Sequence, residues 1–353
     1  MTVPTTKGGA RRAGLLAIAL IALAAAGCGS SAAGSASGTG PAAPSGANTD
    51  IPAGTADVAY AASLTFLNEK IVGPAFEQAD LLKYSGRAGP SDGLSKEIAS
   101  GEITPDAFES VGGDPIAALE PTFTKWYVQY ATTSIVLAYN PAGKYAGQFK
   151  AIADGREPVR DLFSILRRPG FRLGRTDPNL DPQGRAFIYM LQLAQMKYHL
   201  PNDTVTKILG GALASPKSTQ IFEEAALDSR LQAGQVDAAS AYLSQAKQLH
   251  LHYISLPPDI NLGDASFADN YAKASITITD SSGKDTKTGS PLTLVITTIS
   301  GAKDAAAGNA FVAYVLSPAG RSLYAKQGGY TLLKPTLTGP ASAVPAAGLP
   351  ARR

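Results

Sequence analysis

Apolar positions along the chain fall into two rhythms. Four short runs, SIVLAY (134–139), LHLHYISL (249–256), ASITIT (274–279) and LTLVITTI (292–299), are rich in β-branched residues, are bounded by turn formers, and each predict a strand. Between them the period lengthens to that of a helix. Asp181, with Pro182 at the first helical position, opens a helix that carries Phe187, Leu191, Ala194 and Tyr198 on one stripe. Another runs through NAFVAYVLS, after which Ser317-Pro318 opens a further helix that Gly328-Gly329 closes. Strands alternating with helices predict an α/β fold with sheets covered by helices.

The amino terminus follows a different pattern. Lys7, Arg11 and Arg12 precede AGLLAIALIALAAAG, an apolar run too short to span a bilayer, which predicts a secretory signal over residues 1–27. Ala25, Ala26 and Gly27 before the only cysteine resemble the lipobox of bacterial lipoproteins, although Leu23 lies two places further upstream than usual. That resemblance implies cleavage before Cys28 and lipidation there, and hence a chain anchored to the cell membrane on its extracytoplasmic face. A lone cysteine makes no internal disulfide, so stability must come from the core. Residues 28–55 are small, polar and rich in Gly, Ser and Pro, and predict a flexible tether with a reach on the order of 30 Å. The tail from 339 to 353 has a similar composition and is expected to be disordered. The roughly 280 residues between them exceed what one core usually holds, so two lobes are expected.

Removing the signal changes the charge. The chain has 31 basic and 28 acidic residues, and three of the basic ones belong to the signal, so the mature chain is balanced. No global field remains to attract nucleic acid, and a charged ligand must be recognised locally. The sequence has no internal repeat, no phosphate-binding GxGxxG or Walker loop and no CxxC pair.

Gly89-Pro90-Ser91-Asp92-Gly93 matches the GxSxG pattern of hydrolase nucleophiles. A nucleophile elbow needs a hydrophobic strand running into the serine. The preceding KYSGRAGP is polar and predicts a loop, whereas SDGLSKEIASG predicts a helix start with Ser91 or Asp92 as its cap. A loop meeting a helix start offers backbone N–H groups and a hydroxyl to a small anion. Of the three histidines, His250 and His252 alternate along the expected strand 249–256 and read as solvent-facing. Ser63 ends the strand-like run VAYAAS just before a helical pattern, a place where α/β lobes form ligand crevices. Ser63 and Ser91 can therefore converge on one oxyanion, although each taken alone reads more readily as a simple helix cap.

AASLT, GPSDGLSKEI, PDAFESVGGD, WYVQYATTSIVLAYNP, DPNLDPQG and PPDINLGDASFADNYAKASITI resemble successive blocks of the molybdate/tungstate-binding proteins of ABC uptake systems, in particular the tungstate-type branch. The similarity covers roughly residues 57–338. It implies a class II periplasmic-binding-protein fold, with a ligand cleft between two α/β lobes joined by crossover strands near Ala138 and Ser290. The implied boundaries are 56–137 and 290–338 for lobe 1 and 138–289 for lobe 2. The implied ligand contacts are Ala62, Ser63 and Ser91 on lobe 1, and Asp181, Gln183 in the DPQG turn, Glu224 and Tyr242 on lobe 2. If residues from Ser218 onward are helical, Glu224 shares a stripe with Leu227 and Leu231 and points inward, while Glu223 points out.

Two carboxylates around a dianion are electrostatically unfavourable, because like charges within about 4 Å of each other cost several kcal/mol in a partly desolvated cleft. The tungstate-type branch suggests a resolution. In that branch two acidic residues bond the Mo or W centre, which expands from four ligands to six; the resemblance implies that Asp181 and Glu224 would do so here, while hydroxyls and amides would serve the oxygens. Sulfate cannot expand in this way. The chain departs from the family at Thr133, Gln183 and Arg185, and Arg185 is expected to pair with a carboxylate or with the ligand. The leading expectation is a monomeric receptor that binds molybdate or tungstate, uses no other cofactor, and delivers its ligand to an ABC permease and its ATPase. A receptor for sulfate or phosphate is the alternative, and a hydrolase using Ser91, or Asp181 with Glu224, a more distant one.

Overall fold

The computed structural model describes residues 54–211, 213, 218–280 and 283–344. The expected signal, Cys28, nearly all of the tether, and the tail beyond Val344 lie outside the described residues. The first six strands are β1 (Thr55–Ala61), β2 (Lys83–Gly89), β3 (Ala107–Val111), β4 (Tyr127–Thr132), β5 (Ile135–Tyr139) and β6 (Leu173–Gly174). Six more follow: β7 (Ala238–Tyr242), β8 (Tyr253–Ile254), β9 (Ser275–Asp280), β10 (Gly283–Thr288), β11 (Thr293–Thr298) and β12 (Thr331–Thr338).

Lobe 1 is built on a six-stranded sheet ordered β12-β4-β11-β3-β1-β2. Strand β1 pairs in parallel with β2 and β3, while the returning β11 inserts antiparallel between β3 and β4. Both faces are covered, so its central strands β3 and β11 are buried almost throughout. Val58 and Tyr60 face a cluster containing Phe76 and Phe311; Ala59 and Phe108 face another with Leu94, Ile98 and Val295. Lobe 2 holds the sheet β6-β7-β5-β8, with β5 and β7 wholly buried. Val136 and Ala138 pack on Leu227 and Leu231 of the helix Glu224–Gln232. Ile135 and Leu137 belong to the cluster that takes in Phe187 and Leu191 of the helix Pro182–Lys197. The β9–β10 hairpin lies beside that helix, tied by Gln192 Nε2 donating to the Ser275 carbonyl at 2.8 Å.

An acidic side chain is enclosed at the centre of lobe 1. Glu109 on β3 is fully buried and accepts from Asn68 Nδ2 at 2.9 Å, from the Tyr324 hydroxyl at 2.7 Å and from the Tyr130 hydroxyl. Burial pushes its carboxyl above the usual range.

Several expectations are corrected. KYSGRAGP is not a loop, since Lys83–Gly89 forms β2; as an edge strand with exposed side chains it needs no apolar alternation. The strand expected over 249–256 shrinks to Tyr253–Ile254, because His250 adopts a left-handed φ of 53° that ends any extended run. The first crossover falls at Thr133-Ser134, between β4 and β5, so Ala138 sits inside the lobe 2 sheet. The chain re-enters lobe 1 at Thr293, just past Ser290. At the other end Gly339–Val344 is structured, with a 3-10 turn over Ala341–Ala343 and with Ala343 and Val344 packed against the core.

Candidate ligand-binding site

The loops that leave the carboxyl ends of β1 and β2 bring lobe 1 to the cleft. Ala62 and Ser63 form a 3-10 turn directly after β1, and Ser63 is buried with no partner for its hydroxyl. Ser91 is the first residue of the helix Ser91–Ser100. Pro90, not Ser91 or Asp92, occupies the cap position, and the buried Ser91 Oγ accepts from the Val111 N–H at 3.4 Å. Asp92 turns to the opposite lobe: its carboxylate pairs with Arg185 at 2.7 Å, and its N–H donates to the Leu180 carbonyl at 3.1 Å. Both members of this ion pair are largely buried, so it clasps the lobes together where screening is weak.

Lobe 2 contributes the acids. Asp181 caps the helix Pro182–Lys197, with Oδ1 accepting from the Gln183 N–H at 2.8 Å. Gly184 allows the approach behind it: a Cβ there would lie 2.5 Å from the Thr176 carbonyl. Glu224 opens the helix Glu224–Gln232 and is buried with Leu227 and Leu231, while Glu223 is exposed; the helix begins at Glu224 itself, not at Ser218. Gln183, fully buried, ties these elements together. Its Nε2 donates to Glu224 Oε1 at 2.7 Å and to Gln245 Oε1 at 3.2 Å, and its Oε1 accepts from Ser240 Oγ at 3.0 Å. Tyr242 ends β7 with its hydroxyl buried and without a partner.

Ala62, Ser63, Asp181 and Glu224 come together at two cavities that share Glu224, whereas Ser91, Gln183 and Tyr242 line neither. Ala62 and Ser63 from lobe 1 share a cavity of about 460 Å³ with Glu224, Asp228 and Gln245 from lobe 2. Glu224 also lines a second cavity of about 270 Å³ with Asp181, Thr176 and, from lobe 1, Pro90. Burial, followed by the Asp181 and Asp228 charges, holds the Glu224 carboxyl well above its ordinary range. A glutamate in the first turn of a helix would normally be stabilised as an anion, so desolvation outweighs the dipole here. Burial likewise raises Asp181. Burial, then the Asp181 and Glu224 charges, raises the Tyr242 phenol. The site therefore combines two unfavourably buried carboxylates with buried hydroxyls on Ser63, Thr176 and Tyr242 that lack protein partners. Such atoms are costly unless a ligand supplies what they lack.

Some participants escaped the sequence reading. Asp228, whose carboxyl burial pushes up to about 6, lies one turn beyond Glu224 and accepts from Gln245 Nε2 at 2.8 Å. Its spacing from Glu224 was the available signal. The pairing of Arg185 with a carboxylate was expected, but its partner, 93 positions away, was not. Replacing Arg185 by glutamine would leave the Asp92 carboxylate uncompensated beside the cleft. Dianions of every kind should then bind about tenfold more weakly, as expected from like-charge repulsion at a partly buried site. Parallel titrations of tungstate and sulfate test this; a loss confined to one anion would contradict it.

Two α/β lobes joined by paired crossovers, with unpaired polar atoms facing the space between them, define a binding protein that closes on a small ligand. Residues 56–329 match the bacterial extracellular solute-binding protein family, and the chain belongs to that family. It is a solute-binding protein of the extracytoplasmic class, not an enzyme. The molybdate/tungstate-binding protein WtpA of Thermococcus kodakarensis is 31% identical over 221 residues, 58% of this chain and 60% of that protein. A solute-binding protein of Methanococcus aeolicus is 29% identical over 284 residues, 74% of this chain and 78% of that one. The periplasmic molybdate-binding protein of Azotobacter vinelandii, 16% identical with a TM-score of 0.52 over 78% of this chain and 99% of that one, has the same fold.

Proposed function

We propose that this chain captures molybdate or tungstate outside the cytoplasm and delivers it to an ABC permease and its ATPase, acting as a monomer held to the membrane through lipid on Cys28. The observation that carries the reading is the enclosure of Asp181 and Glu224 beside hydroxyls that lack partners. The likeness to a molybdate/tungstate-binding relative supports it. Hydroxyls of Ser63, Ser91 and Tyr242, with backbone N–H groups near Ala62 and Ser63, would serve the oxygens. Asp181 and Glu224 would bond the metal centre, and Gln183 would hold Glu224 in place. Oxyanion charge and metal acidity would then draw on different sides of one cage, and a central atom unable to accept two more ligands would meet only repulsion from the acids.

A sulfate or phosphate receptor is the competing reading, and the raised carboxyls give it substance, since protonated Asp181 and Glu224 would donate to anion oxygens. The two readings differ in the sign of proton linkage. Bonding to a metal centre needs both carboxylates deprotonated, so tungstate binding should release protons and weaken as pH falls through the range in which the buried acids titrate. Hydrogen-bonded capture of sulfate would take protons up and tighten as pH falls. Calorimetry in buffers of different ionisation enthalpy counts those protons; uptake on tungstate binding would overturn the proposal.

A further inference from the structure

Tyr330, between the helix Pro318–Lys326 and β12, takes no part in the site as assembled above. Its ring is buried against Tyr324, with centroids 6.0 Å apart, and its hydroxyl has no partner. The backbone before it is pinned from both lobes. Gly329 adopts a left-handed φ of 71° and lies against Lys247 and Ser244 of the helix Leu243–Gln248, and Gln248 Nε2 donates to the Gly328 carbonyl at 2.8 Å. Gln248 lines the same cavity as Ser63 and Glu224. The Tyr330 hydroxyl lies near the Ser63 and Ser244 hydroxyls without closing a hydrogen bond to either, and Ser244 Oγ is already engaged by Thr133 at 3.0 Å. Glu224 is near enough to act on the phenol electrostatically.

A phenol held this firmly, next to a serine whose hydroxyl also has no protein partner, is a buried donor whose desolvation no protein group offsets. Resting on the oxyanion reading above, we infer that Tyr330 is a ligand-contacting residue, whose O–H donates to an oxygen of the bound oxyanion beside Ser63. The return segment of lobe 1 thereby joins the loop after β1 in the cage. Because the Gly328 carbonyl is bonded to lobe 2, the hydroxyl would be fully in place only when the lobes are closed.

Tyr330→Phe removes the donor and keeps the ring. The expected result is a roughly tenfold loss of tungstate affinity, the usual worth of a hydrogen bond to a charged acceptor. The unfolding temperature of the ligand-free variant should be unchanged or higher, since an unpaired buried hydroxyl has gone. Wild-type affinity in the variant, or a lowered unfolding temperature with unchanged affinity, would overturn the inference and leave the oxyanion site standing. Failure of the wild type to bind either tungstate or molybdate would instead bring down the site reading and this inference with it. Fluorotyrosine at position 330 gives a readout that does not depend on truncation: its fluorine resonance should shift on saturation with tungstate, and an unmoved signal would refute the contact.

Discussion

Glutamine in place of Glu224 is expected to weaken tungstate and molybdate binding by at least about 100-fold, more than is typical for loss of a residue supporting a metal ligand, and sulfate binding by less than about threefold. The asymmetry follows from chemistry, not from size. Glutamine can still accept from Gln183 Nε2, so the local packing survives, but it brings no anionic oxygen to a metal centre. For sulfate the same change removes only a repulsive or protonated group. The ligand-free protein should respond in the opposite direction. The folded pKa of Glu224 is raised by burial, so its contribution to stability is full below the unfolded carboxylate value and is lost as pH rises through the folded one. The variant escapes that loss and should unfold at a higher temperature than wild type above neutral pH. Loss of binding with gain of stability is the mark of a site strained for its ligand. Equal losses for tungstate and sulfate would reject the bond to metal.

Alanine at Glu109 should cost about 4 kcal/mol of lobe 1 stability, from a cavity at a fully buried position and from three donors left without an acceptor. Asn68, Tyr130 and Tyr324 all donate to this one carboxylate, which is fully buried. Urea unfolding followed by the fluorescence of Trp126, which lies in the same core, reports the change directly. A cost below about 1 kcal/mol would mean that the donors find other partners. Tyr324 also carries the ring against which Tyr330 packs.

What could be read from the chain depended on how local its cause was. Helix starts at Asp181-Pro182 and Ser317-Pro318 were legible because a cap and a fixed φ are properties of adjacent residues. The inward turn of Glu224 was legible from its stripe with Leu227 and Leu231 once a helix was assumed. Strand β2 was not, because an edge strand owes its existence to β1 and leaves its own side chains in water. The histidine-bearing strand failed for a local reason that pattern does not reveal, a left-handed turn at a non-glycine residue. The grouping of Ser63, Ser91, Asp181, Gln183, Glu224 and Tyr242 came from family resemblance and not from spacing. The clasp of Arg185 on Asp92 and the placement of Tyr330 exist only through the meeting of two lobes, and no window of sequence contains them.

Selectivity in this site depends on carboxylate oxygens reaching the heavy atom of the ligand. X-ray absorption at the tungsten edge of the purified complex tests that contact most directly. Six oxygen neighbours around tungsten in the wild type, falling in the Asp181→Asn and Glu224→Gln variants, is the predicted result. An unchanged tetrahedral spectrum in the wild-type complex would contradict it.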